Sequence, residues 1–79
     1  MARTADVTQE QAETALSRVL LAKIRADQHP SSTQMDVLEQ SLPQSLRREY
    51  LEVLLEKVMA DNRPSTTMLR RVQRLASQL

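Results

Sequence analysis

Two stretches of this chain, 34 residues apart, are nearly the same stretch. Val19-Leu-Leu-Ala-Lys-Ile-Arg-Ala-Asp-Gln-His-Pro-Ser-Ser-Thr33 aligns without a gap on Val53-Leu-Leu-Glu-Lys-Val-Met-Ala-Asp-Asn-Arg-Pro-Ser-Thr-Thr67, with nine of 15 positions identical. A repeat of this length is one supersecondary unit that needs a neighbour to bury its apolar side. The offset therefore constrains the fold more than any composition does. Whatever the first half builds, the second half must build again, and the two must share an interior.

The unit reads as a long helix, a short turn and a shorter helix. Thr8 with Gln11 has the spacing of a capping box, so the first helix starts near Thr8 and runs to about Asp27. Pro30 cannot continue that helix and pushes His29 toward extended backbone. Ser31 with Gln34 is a second cap, opening a helix to about Leu42. Pro43 suits the first turn of a third helix, which ends near Asp61. Asn62-Arg63-Pro64 repeats the turn, and Ser65 or Thr66 caps a fourth helix to about Gln78. The motif Asp-x-x-Pro-Ser at Asp27–Ser31 and Asp61–Ser65 is read as a helix stop followed by a cap.

The chain contains no glycine in 79 residues. Tight β-hairpins favour Gly strongly, whereas Pro and Asx turns between helices can do without it. The expected fold is all-α: four helices as two tandem helix-turn-helix repeats in a small bundle, related by approximate two-fold or screw symmetry. Repeat one spans 8–42 and repeat two 43–79, forming one domain over 8–79 behind a disordered tail of residues 1–7. The long helices are expected to pack on each other. A 34-residue period is also that of the tetratricopeptide repeat. The Trp, Gly, Tyr and Phe positions of that family are unfilled here, so the likeness stops at the period.

Helical spacing assigns the faces. The first helix is expected to bury Ala12, Leu16, Val19, Leu20 and Ile24, and the second Met35, Leu38 and Leu42. The fourth is expected to bury Met68, Leu69, Val72, Leu75, Ala76 and Leu79, with Arg70, Gln73, Arg74 and Ser77 opposite. The third carries Leu46, Tyr50, Val53 and Leu54 on one stripe, and Leu51, Leu55, Val58 and Met59 extend it past half the circumference. Such a helix is either central or faces a second chain. Leu51, Leu55 and Met59, with Leu21, are the expected association surface of a homodimer.

Charge divides unequally. Residues 31–42 hold Asp36 and Glu39 and no base, while residues 61–79 hold Arg63, Arg70, Arg71 and Arg74 against Asp61. The two short helices are either separately solvated or attract one another, within a chain or between chains. Arg70, Arg71 and Arg74 also form the candidate basic surface for a partner. The alternative function is nucleic-acid binding by this last helix, against which stand a net charge of only +1 and the lack of aromatics for stacking in that helix.

Catalysis has little to work with. The chain has one His, His29, beside a turn proline, and no Cys. Neither a metal site nor a nucleophile–base pair assembles from that set. Glu49, Glu52 and Glu56 read as a solvated helix face. No cofactor and no small-molecule substrate is indicated. There is no apolar run of membrane-spanning length, and the first residues lack a secretory pattern. The expected protein is a noncatalytic, cytoplasmic interaction or regulatory module that associates with itself.

Overall fold

The computed structural model describes residues 8–79, so the expected tail of residues 1–7 lies outside the described residues. Four helices follow one another: α1 (Gln9–Ala26), α2 (Ser32–Gln40), α3 (Gln44–Ala60) and α4 (Thr66–Ala76). No strand occurs among the described residues. The fold is all-α.

Local chemistry sets the ends. Thr8 and Gln11 form the reciprocal capping box, each side chain satisfying the other's backbone N–H at 3.1 Å. Ser31 Oγ accepts from the N–H groups of Thr33 and Gln34, and Ser65 Oγ accepts from Met68 N–H. Pro43 stands one position before α3 as its N-cap, without a side-chain bond. The two short helices end about two residues earlier than spacing suggested, at Gln40 and Ala76.

The helix stops explain the missing glycine. Many helices end in a left-handed residue, a role that favours Gly. Here α1 and α3 end on aspartates in extended backbone, Asp27 at φ −95°, ψ 122° and Asp61 at φ −96°, ψ 125°. Each Asp N–H bonds carbonyls of the last turn, Lys23 and Ile24 in one case and Lys57 and Val58 in the other. Each carboxylate accepts the N–H two residues on, from His29 at 3.0 Å and from Arg63 at 2.9 Å. No residue with positive φ occurs among the described residues. The turn is made of Asp and Pro, and nothing in it requires Gly.

The closest packing is within each hairpin, α1 on α2 and α3 on α4, with a smaller α1–α3 contact. The long helices do touch, as expected, but each packs more extensively on its own short helix. The core joins Leu21 and Ile24 of α1, Met35 and Leu38 of α2, Tyr50, Leu51, Val53 and Leu54 of α3, and Leu75 of α4.

Two helices are rotated from their expected facing. α1 buries Ser17, Leu21 and Ile24, with Leu20 half-buried, and leaves Ala12, Leu16 and Val19 exposed. It carries two apolar stripes, and its neighbours cover only the second. α4 buries Arg71 and Leu75, half-buries Met68 and Val72, and exposes Leu69, Ala76 and Leu79. Carboxylates on α2 hold Arg71 inward.

Candidate interaction surface

Glu39 on α2 is the polar hinge between the two halves. One turn separates it from Asp36, so both carboxylates face the same neighbour. Glu39 Oε2 accepts from Tyr50 Oη at 2.6 Å and from Arg71 Nη1 at 2.5 Å, and Oε1 accepts from Arg74 Nη2 at 2.8 Å. Arg71 Nη2 pairs with Asp36 at 3.1 Å. The acidic and basic short helices are therefore bound to each other within one chain. Arg71 Nε is buried without a partner, so the guanidinium depends on its two carboxylates.

The long helices are tied in the same direction. Arg25 on α1 meets Glu49 on α3 at 2.8 Å, an exposed pair of small energetic weight. Lys57 Nζ donates to the carbonyls of Arg25 at 3.0 Å and Asp27 at 2.7 Å. Those oxygens end α1, where unpaired carbonyls and the helix dipole both favour a cation.

Burial pushes the Tyr50 phenol far above its ordinary value of 10.0, and the hydrogen bond and charge of Glu39 push it further, against a smaller pull from Arg71. Burial opposes the charge on Arg71, but Glu39 and Asp36 outweigh it and hold the guanidinium protonated. The sign for stability follows from Tyr50. Its folded pKa is raised, so the contribution is whole below pH about 10 and falls as the unfolded phenol ionises above it, by up to about 1.4 kcal/mol per pH unit. As Tyr50 is the only tyrosine, an alkaline absorbance titration reads it alone. Tyrosinate should appear only together with loss of the helical signal. A reversible midpoint near 10 in folded protein would contradict this burial.

The expected surface residues divide. Leu55 and Met59 are exposed on α3. Leu51 is buried in the core, since α3 has α1 on one side and α4 on another, and it leaves the surface set. Leu21 leaves for the same reason. Arg70 is exposed and Arg74 half-exposed, but Arg74 is bound to Glu39 and Arg71 is turned inward. The basic patch thus loses Arg71 outright, and Arg74 is committed. In exchange the surface gains Leu16, Val19, Val37, Leu69 and Leu79, most of which spacing had placed in the core. No described helix is long and apolar enough to cross a membrane. No protein-family model, no curated protein and no solved structure matches the chain.

Proposed function

We propose that this chain is a noncatalytic helical interaction module that acts by associating with itself. One observation carries the reading: large apolar side chains stand exposed on three helices, Leu16 and Val19 on α1, Leu55 and Met59 on α3 and Leu69 on α4. Scattered apolar residues are ordinary on a surface, but stripes at helical spacing are the form an interface takes. Leu16 and Val19 share one face of α1, and Leu55 and Met59 share one face of α3. We place the module in the cytoplasm, since a chain without cysteine suits a reducing compartment.

Sedimentation velocity over a wide concentration range tests the proposal. The average mass should rise above the 9.0 kDa monomer as concentration rises. A strictly monomeric species up to millimolar protein would overturn it.

A further inference from the structure

The 34-residue offset can be laid over burial. Some residues are covered in both halves, such as Ser17 with its counterpart Leu51, and these fill the interior of each hairpin. Others are covered in one half only, and they sort cleanly. Leu21 is 4% exposed and its counterpart Leu55 39%. Met35 is buried and Leu69 is not. In the opposite sense, Tyr50 is 0% exposed against 48% for Leu16, and Val53 2% against 51% for Val19. The first half is covered on the side that meets the second half, and the second on the side that meets the first. Each half leaves bare the side that its counterpart buries. That is the pattern of two adjacent units from an open row, and repeat arrays ordinarily need more than two.

We propose that copies of this chain stack head to tail: Leu55, Met59 and Leu69 at the end of one copy receive Leu16 and Val19 at the start of the next, repeating across the junction the packing that joins the two halves within a chain. The inference rests on the self-association reading and adds its geometry.

The polar contacts of the internal junction test the match residue by residue. Shifted by 34, the Arg25–Glu49 pair becomes Met59 against Ala15, so both charges are replaced together and an apolar pair results. Glu39 with Tyr50, Arg71 and Arg74 becomes Gln73 with Leu16, Val37 and Gln40, again losing acid and bases together. Lys57, which caps the Arg25 and Asp27 carbonyls, becomes Lys23, and its acceptors become the carbonyls of Met59 and Asp61. The lysine needed for that cap is the one retained in both halves. Only Asp36 lacks a neutral substitute, since it becomes Arg70, whose long stem can lie on apolar surface with its head in water.

A head-to-tail contact uses two different surfaces, which gives it a signature that no two-fold contact shares. The start-face variant Leu16→Glu/Val19→Glu and the end-face variant Met59→Glu/Leu69→Glu alter exposed positions only, and circular dichroism verifies that both keep their helices. Each alone should lose association by on the order of 100-fold, as carboxylates are forced against apolar partners. Mixed, they should form a one-to-one complex and nothing larger, because each retains the face that the other lacks. A second measurement avoids added charge. The chain has no cysteine, so Ala15→Cys and Met59→Cys proteins treated with a bis-maleimide cross-linker should form covalent dimers when mixed and far fewer when treated separately. If one face variant leaves association intact, if the mixture stays monomeric, or if either single-cysteine protein pairs best with itself, the head-to-tail geometry falls while self-association stands. If the wild-type chain is monomeric throughout, both fall.

Discussion

Replacing Glu39 by Ala is expected to remove about 3–5 kcal/mol of folding stability, the cost of leaving a buried ion without its partner. Arg71 is the reason. Its side chain is buried, its Nε already has no acceptor, and its two remaining bonds go to Glu39 and Asp36. Without Glu39 the guanidinium keeps only Asp36, an exposed group whose hold is weak. Tyr50 Oη loses its acceptor as well. For a domain of this size about 1 kcal/mol shifts the melting temperature by roughly 4–8 °C, so a thermal melt should fall by at least about 12 °C. Asp36→Ala should move it by no more than roughly 1 kcal/mol. The apolar triple change Glu39→Leu/Tyr50→Phe/Arg71→Met should recover much of the loss, since well-packed hydrophobic replacements of buried ion pairs are often neutral or stabilising. A Glu39→Ala protein that melts within a few degrees of wild type would mean that the two halves are joined by their apolar contacts alone.

How much of this could be read from the residues depends on which interactions are local. The helix stops at Asp27 and Asp61 and the caps at Thr8, Ser31 and Ser65 were legible, because each is set by groups within a few residues of one another. Facing was not. α1 offers one stripe through Ala12, Leu16 and Val19 and another through Ser17, Leu21 and Ile24, and no wheel can say which one a neighbour covers. The expected face took Ala12, Leu16 and Val19 from the first together with Ile24 from the second, and the structure buries the second, Ser17 included. Leu51 was placed at the surface because α3 is apolar past half its circumference. It is buried because α3 has covering helices on more than one side. Arg71 was placed at the surface with Arg70 and Arg74, yet it is buried. The contrast between the acidic α2 and the basic α4, one reading of which was attraction within a chain, is the signal that places it, since that attraction draws the side chain in.

Two adjacent leucines separate the interior of α3 from the surface proposed for association. Leu54 is fully buried. Its replacement by Ala should cost about 3–5 kcal/mol, the transfer of the lost carbons plus the cavity they leave. For a chain of this length total stability is on the order of 4–12 kcal/mol, so that loss takes a large share of it. In urea the midpoint should fall with little change of slope, at every protein concentration. Leu55→Ala in dilute protein should cost about 1 kcal/mol or less, because more than a third of that side chain is already in water. Its cost should then grow with protein concentration. A residue that becomes buried only when copies meet contributes to stability only through the associated form, and that contribution follows mass action. Leu54 and Leu55 thus differ in size of effect when the protein is dilute and in concentration dependence when it is not. Equal, concentration-independent losses would place Leu55 in the core and rotate α3 by about one residue, 100° on a helical wheel. A small loss at Leu55 that ignores concentration would leave the fold as described and take away the surface on which association rests.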